Sequence, residues 1–379
     1  MIGLRQIVLS VLPGPLHSAL QPWWRRFFRL RRRVSEWWVP LLVWMAWLVF
    51  QCARHGKRAV IICRMAGIGD VVCTLPICDE VRRRHPGKLL VFITAAPWRD
   101  IVTLSRSVDL VYANRPWVYP FTMPTNIKVF GLVDTIYNPK TAGERVHKGG
   151  MTRHLIEDLA GSCGFTINAR QPKLYPSSGL IEKTRVAYGL NGKTAAERLL
   201  IGINPGPNWR VKEWEASKWQ KLIDQIHSEY DAVIVQFGLN KGDGSSDYDH
   251  LTGVKSLASR LTGAEIVALI ATCDLMVSID SGPVHVAGAV GTPVVGLFGA
   301  LDPALVLPPK SAAPTAGLFS EVPCLFCHNR TPVINWESGC PNDIACMKKL
   351  DNETVFEAVK SMLAQSTKRE IKESLAVFD

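Results

Sequence analysis

Acidic residues are almost missing from the start of this chain. Between Met1 and Arg58 the one acidic side chain is Glu36, against ten lysines and arginines (Arg5, Arg25, Arg26, Arg29, Arg31, Arg32, Arg33, Arg54, Lys57 and Arg58). Nine of the eleven net positive charges of the 379 residues therefore fall in this segment. The remainder is close to neutral, which argues against a nucleic-acid-binding body: the basic balance describes an arm. A long apolar run is lacking too. The stretch WWVPLLVWMAWLVFQCA, residues 37–53, holds Pro40 near its start and has 17 residues, at the lower edge for a membrane-spanning helix. Arginines flank it on both sides, so the positive-inside rule assigns no orientation. No single basic flank leads to a small-residue cleavage site, against a secretory signal. No short-period internal repeat is present, against a repeat architecture.

What the arm does have is tryptophan. Six of the twelve lie in it, with Trp23-Trp24 ahead of the arginine run and Trp37-Trp38 opening the apolar stretch. Aromatics beside arginines suit the headgroup layer of an anionic membrane. Residues 1–57 are expected to form a membrane-associating arm. Lying in the interface, spanning the bilayer and packing as a core or signal-like helix all remain open for its apolar stretch.

From residue 58 onward, short apolar β-branched runs alternate with helical patterns. Ala59 to Cys63 predicts a strand, Gly67 and Gly69 a loop, and Asp70 to His85 a helix stopped by Pro86-Gly87. Strands follow at Leu89 to Thr94, Val108 to Tyr112 and Leu132 to Tyr137, then an amphipathic helix over Met151 to Cys163. The polar segment Asn168 to Lys193, with Pro172, Pro176 and Gly179, predicts an interdomain linker. A second alternation has strands at Leu199 to Asn204, Ala232 to Phe237, Leu275 to Ile279 and Val294 to Phe298. Its helices lie at Ala216 to Tyr230 and Glu265 to Thr272, and another is expected from Asn352 onward. The chain therefore divides into an arm (1–57), a first domain (58–180), a second domain (194–350) and a helical tail (351–379). The fold class is α/β, with two Rossmann-like domains facing each other across a cleft.

Asp280-Ser281-Gly282-Pro283-Val284-His285 ends one buried strand and begins a small-residue helix. Such a turn aims free backbone N–H groups into the crevice at the carboxyl end of a parallel sheet, where a nucleotide diphosphate would be bound. No Asp-x-Asp metal motif stands beside that turn. The cysteines divide in two. Cys52, Cys63, Cys73, Cys78, Cys163 and Cys273 are single and read as buried small hydrophobes in a reducing compartment. Cys324, Cys327, Cys340 and Cys346 form C-x2-C-x12-C-x5-C, a spacing suited to four thiolates around a structural Zn²⁺ or iron, with His328 able to replace one. Disulfides or free thiols are the alternatives.

Arg64-x-x-Gly67-Ile68-Gly69-Asp70-Val71-Val72, followed by Thr74-Leu75-Pro76, resembles the N-terminal signature of the heptosyltransferases of glycosyltransferase family 9. The DSGPVH segment with GTPVVGLFGALDP resembles their donor signature, and His154 in RHLIEDLAGSCGF fits a family helix. The resemblance spans roughly residues 58–350. It implies the two-domain GT-B fold and inverting transfer of a sugar, typically from ADP-heptose, to lipopolysaccharide core or another lipid-linked acceptor. That places the protein at the cytoplasmic face of a bacterial inner membrane. It implies Asp70 as general base, where the residues alone leave a helix cap equally open. Lys212, helped by Arg210, would stand at the donor phosphates, or the two would be a solvated pair. Asp280, Ser281, Gly282 and His285 would line the donor, with His285 as a packed core residue the plain alternative. Gly67, Gly69 and Arg64 would shape the acceptor loop. Where the family often has one glutamate on the donor, this chain offers Asp243 and Asp247. No cofactor is expected for the chemistry, Mg²⁺ included. Cysteine sets of this kind occur in iron-binding members that modify autotransporter proteins, so a protein acceptor stays open. So does a membrane-tethered nucleotide-sugar binder without catalysis.

Overall fold

The computed structural model describes residues 43–114, 131–141, 150–167, 171–190, 198–206, 209–238, 247–309, 313–330 and 340–376. Two parallel sheets organise them. The first has β1 (Ala59–Arg64), β2 (Leu89–Ala95), β3 (Leu110–Asn114) and β4 (Val133–Tyr137) in the order β3-β2-β1-β4. The second has β5 (Leu199–Asn204), β6 (Ala232–Gln236), β7 (Lys255–Ser256), β8 (Leu275–Ile279), β9 (Val294–Leu297) and β10 (Thr315–Leu318), in the order β10-β9-β8-β5-β6-β7. The helices are α1 (43–55), α2 (Ile68–Arg84), α3 (Arg99–Thr103), α4 (Leu155–Ser162), α5 (Ser178–Ala187) and α6 (Ala216–Glu229). Then come α7 (Gly263–Ile270), α8 (Gly282–Val290), α9 (Pro303–Val306), α10 (Cys327–Arg330), α11 (Ala345–Lys349) and α12 (Asn352–Ala376).

The central strands are apolar without a break because both their faces are covered. In β1, Val60 and Ile62 face the layer between the two sheets, while Ala59, Ile61 and Cys63 face the outer side. In β8, Leu275, Val277 and Ile279 face outward and Met276 inward. The inner layer is one continuous apolar cluster that includes Val71, Val72 and Leu75 of α2, Val267 of α7 and Val284 and Ala287 of α8. The two domains are thus joined through a shared core as well as by chain. On the far side, α6 and α12 cover the second sheet: Trp219, Leu222 and Ile223 pack with Val355, Phe356 and Val359. The tail expected as a separate region is therefore a covering helix of the second domain.

Two further expectations change. The segment read as a polar linker contains α5, which starts at the Ser177 cap and packs on α7, with the Tyr188 hydroxyl donating to the Arg260 carbonyl. Ser177 Oγ accepts from the Leu180 N–H, satisfying one of the donors free at a helix start. The arm divides at residue 42. Residues 1–42, with Trp23-Trp24 and Trp37-Trp38, lie outside the described residues. From residue 43 the apolar stretch is α1, which lays Trp44, Leu48 and Cys52 on the outer face of the first sheet against Ile61, Val91 and Val133. Its other side keeps Val43, Val49 and Phe50 exposed. Among the described residues, no helix is long and apolar enough to cross a membrane.

Leu48 is fully buried and Phe50 is 59% exposed on the same helix. Leu48→Ala should destabilise the protein by about 3 kcal/mol, the cost of a core cavity, and Phe50→Ala by under about 0.5 kcal/mol. Urea unfolding of the full chain distinguishes the two. Equal effects would contradict the packing of α1 on the sheet.

Candidate functional site

Two helices bring their N-terminal turns together between the domains. α2 follows β1 after a short glycine loop, and α8 follows β8 through Ser281. They meet at Gly69 and Gly282. A Cβ on Gly282 would lie 2.0 Å from Ile68 Cγ2 and 3.1 Å from the Gly69 nitrogen, and one on Gly69 would lie 2.7 Å from His285 Cδ2. Each helix start carries a carboxylate, favoured there by the helix dipole. Asp70 stands in the first turn of α2, whose cap is Gly67. The cap reading of Asp70 therefore gives way to a charge pair. Arg64, with its side chain 2% exposed, donates from Nη2 to Asp70 Oδ1 at 2.7 Å and from Nη1 to the Pro139 carbonyl at 3.0 Å. Asp70 itself is one-third exposed, and among the described residues none hydrogen-bonds its Oδ2. The loop before it is pinned by Trp98, whose indole donates to the Ala66 carbonyl at 2.9 Å.

On the other side, Asp280 pairs with Lys212 at 2.7 Å, both nearly buried. Lys212 ends the single turn Arg210–Lys212, with its ammonium 5.1 Å from the centre of the exposed Trp209 ring. Arg210 on the same turn is exposed, and its charge bears on Asp343 beside the cysteines. Ser281 is placed at the site, yet its hydroxyl is used internally. It accepts from Asn204 Nδ2 at 2.6 Å and lies 3.2 Å from the Ile279 carbonyl as donor. What Ser281 and Gly282 leave for a ligand is backbone. The structure thus gathers Gly67, Gly69, Asp70 and Arg64 from the first domain and Lys212, Asp280, Ser281, Gly282 and His285 from the second. Asp243 and the side chain of Asp247 lie outside the described residues. Asp247-Tyr248-Asp249 does spell Asp-x-Asp, but its Tyr248 is buried, with its hydroxyl donating to the Trp214 carbonyl at 2.8 Å.

The cysteine segment folds against this site. Cys324, Cys327, Cys340, Cys346 and His328 line one small cavity together with Val211, the neighbour of Lys212. Left-handed turns at Phe326 (φ 57°) and Ile344 (φ 54°) bend the chain just before the second cysteine of each pair. The amides of Phe326 and His328 donate to the Gly299 and Ala300 carbonyls, both at 3.0 Å, which closes the segment onto the loop after β9. None of the four cysteines is in a disulfide. As the side chains stand, no three ligand-type groups among the described residues are disposed to hold a metal ion. Asn329 reaches the first domain, donating to the Met151 carbonyl at 3.1 Å while accepting from the Asp302 N–H at 2.7 Å. His154 makes another such bridge. Its Nδ1 accepts from the Ile156 N–H at 3.3 Å and its Nε2 lies 2.9 Å from the Leu307 carbonyl. Sequence reasoning missed Asn329 altogether and did not connect His328 with Lys212, since nothing local in either residue signals the partner.

The profile of glycosyltransferase family 9 (heptosyltransferase) matches residues 152–333. The chain is 34% identical to lipopolysaccharide heptosyltransferase 3 of Escherichia coli over 137 residues, which cover 32% of this chain and 40% of the relative. It is 33% identical to the lipopolysaccharide core heptosyltransferase OpsX of Haemophilus influenzae over 307 residues, 70% of this chain and 86% of the relative. The first of these matches thus spans well under two-thirds of the relative's length, while the second spans most of it. Among solved structures, E. coli ADP-heptose lipopolysaccharide heptosyltransferase II shares the fold with a TM-score of 0.57 at 17% identity, covering 82% of this chain and all of that one. The iron-containing dodecameric glycosyltransferase TibC from enterotoxigenic E. coli H10407 does so with a TM-score of 0.60 at 15% identity, covering 83% and 80%.

His285 lies where the two ion pairs converge. Burial pulls its pKa down to about 4, against the opposing pull of Asp280 and Asp70 and with smaller help from His154 and Lys212. The ring is therefore neutral in the fold, whereas in the unfolded chain it takes a proton near pH 6.5. Between about 6.5 and about 4 the unfolded state binds more protons, so stability falls as pH is lowered through that window. Glu80, held down to about 2 by hydrogen bonds from Arg83 and Arg84, gives up its contribution only below 4.5, so the span from 6.5 to 4.5 is clear of it. His285→Gln should flatten the stability–pH slope between pH 6.5 and 4.5 by about one proton's worth. Urea unfolding at stepped pH measures it, and an unchanged slope would mean that the ring is not held neutral.

Proposed function

Because the chain belongs to glycosyltransferase family 9, the heptosyltransferases, we propose that it transfers a heptose from ADP-heptose to a lipopolysaccharide core acceptor with inversion. The observation that carries this is the pairing of Asp70 and Lys212 on opposite walls of one interdomain site. Inverting transfer needs a base on the face of the sugar opposite the leaving nucleotide. Asp70 is a partly exposed carboxylate with one oxygen tied to Arg64 and the other free of described partners, so it can take the acceptor hydroxyl's proton as that oxygen attacks the anomeric carbon. Negative charge then builds on the departing diphosphate. Lys212, Arg210 and the backbone N–H groups of Ser281 and Gly282 absorb it, without a metal in the chemical step. In the resting site Lys212 is engaged by Asp280. An arriving phosphate competes for the ammonium, leaving Asp280 to accept from donor hydroxyls.

The donor and acceptor are those named for the relatives, lipopolysaccharide heptosyltransferase 3 and ADP-heptose lipopolysaccharide heptosyltransferase II. A lipid-linked acceptor also suits the basic, tryptophan-rich arm, which would hold the enzyme at the cytoplasmic face of the inner membrane. Asp70→Asn should lower turnover about 10²- to 10⁴-fold with donor affinity kept within about threefold. Radiolabelled ADP-heptose transfer to a heptose-deficient lipopolysaccharide extract measures the first, and ADP-heptose calorimetry the second. Undiminished turnover in the variant would remove Asp70 as base. No transfer by the folded wild type would remove the function.

The four cysteines are proposed to hold a structural Zn²⁺ or iron ion. Four sulfur donors around one cavity, presented by two left-handed turns, fit such an ion in kind and number. TibC, which shares the fold, is iron-containing. When bound, the ion would cross-link the segment that backs Lys212 and would take no part in transfer. Elemental analysis of the full chain should give about one metal per molecule, lost on Cys324→Ser with Cys346→Ser. Metal-free protein with four freely titrating thiols would refute the assignment. A protein acceptor is the second reading, favoured only by this cysteine set. It would show as labelled sugar on co-expressed protein with lipopolysaccharide inert.

A further inference from the structure

One buried contact joins the two domains without a role in the steps above. Cys73 lies on α2 and His285 on α8, 212 positions apart in sequence, with Sγ 3.3 Å from Nδ1. Both side chains are buried. Two other cysteines of the core dispose of their S–H within the chain. Cys78 donates to the Thr74 carbonyl at 3.8 Å and Cys273 to the Leu269 carbonyl at 3.3 Å, each four residues back. Among the described residues Cys73 makes no such bond, and the imidazole is its one hydrogen-bond partner. A thiol sulfur is a weak acceptor, whereas an unprotonated imidazole nitrogen is a good one. The proton order that uses both groups well is therefore S–H donating to Nδ1, which puts the ring's own proton on Nε2.

The charge states agree. Burial, with Asp70 adding to it, pushes the Cys73 thiol well up, and burial pulls His285 down to about 4, so neither group ionises near neutral pH. The Nε2 edge of the ring faces the start of α2. A Cβ on Gly69 would sit 2.7 Å from Cδ2 and 3.4 Å from Nε2. None of the described residues takes a hydrogen bond from Nε2. The charged groups bearing on the ring are Asp280 and Lys212 from its own domain and Asp70 from the other, with the His154 ring beyond.

We propose that Cys73 is a positioning residue that fixes the tautomer of His285 across the domain interface, so that His285 presents a neutral Nε2–H to a phosphate oxygen of the bound nucleotide sugar. A neutral donor suits this point. Lys212 already supplies a fixed positive charge there, and a further cation would hold the product nucleotide as firmly as the substrate. The arrangement spans the two domains, so the donor group is set by the contact of α2 with α8. The ligand assignment rests on the transferase reading, whereas the tautomer does not.

The test uses the full chain labelled with ¹⁵N-histidine. Long-range ¹⁵N–¹H spectra are read across pH 5.5 to 8, with the His285 signals identified by their loss in His285→Gln. The wild type should show a non-titrating ring protonated on Nε2, and Cys73→Ser, which keeps a donor, should show the same. Cys73→Ala should give a mixture of tautomers. In the transfer assay, Cys73→Ala should lower kcat about tenfold at unchanged acceptor KM, and Cys73→Ser should stay within about threefold of wild type, the effect of one lost hydrogen bond to a positioned group. A ring protonated on Nδ1 in the wild type would overturn the proposal, as would an unaltered tautomer in Cys73→Ala. Should Cys73→Ala fail to fold, the wild-type and Cys73→Ser spectra decide alone. The spectra need no substrate, so a failed transfer assay with the expected tautomers would count against the transferase reading and leave the Cys73–His285 assignment standing.

Discussion

Two positive helix starts held against each other are the constraint on which the rest of this structure depends. Aligned peptide dipoles leave about half a unit of positive charge at each N-terminus, so bringing the first turns of α2 and α8 together is unfavourable in itself. Each helix answers with a carboxylate, Asp70 on one side and Asp280 on the other, and each carboxylate is held in turn by a cation, Arg64 or Lys212. The resulting pattern is two ion pairs around one point, where His285 sits. The shared apolar layer between the sheets keeps the helices in place, so the electrostatic cost at their tips is met by packing along their length.

The cysteine segment extends this arrangement outward. It lies behind Lys212 through Val211 and against Gly299 and Ala300, and through Asn329 it also touches the first domain. With the His154–Leu307 bridge, the site is thereby tied to the opposite domain at its edge as well as at its centre. A rigid cysteine segment would transmit its order to Lys212 through the neighbouring Val211. This gives a physical reason for such a segment to lie beside a transfer site without supplying a reacting group.

Much of the fold was legible because its decisive signals are local. The strand at Leu275–Ile279 matches the expected bounds because a doubly covered strand is a short apolar run between polar turns. The turn after it is marked by Asp280, Gly282 and Pro283 within four residues. α5 was not legible: Ser178–Ala187 is short and mostly polar, and it is held by a neighbouring helix from farther along the chain. The apolar stretch ending at Ala53 was ambiguous for a different reason. A helix lying on a sheet and a helix lying on a membrane show the same one-sided composition, and only the tertiary contacts of Trp44 and Leu48 separate them. In the site, the residue types were readable and their partners were not. Nothing near Asp70 in sequence distinguishes a cap from a carboxylate bound to Arg64, and Cys73 looked like every other buried cysteine until His285 was found beside it.

The missing side chains at Gly69 and Gly282 also limit how this protein can diversify. At Gly282 a methyl group would press on the Gly69 nitrogen as well as on Ile68, and backbone cannot turn aside as a side chain can. The floor of the cleft therefore cannot be reshaped by small successive replacements. Any change in what the cleft admits has to come from its rim, where the exposed Trp209 can change without disturbing how the domains meet.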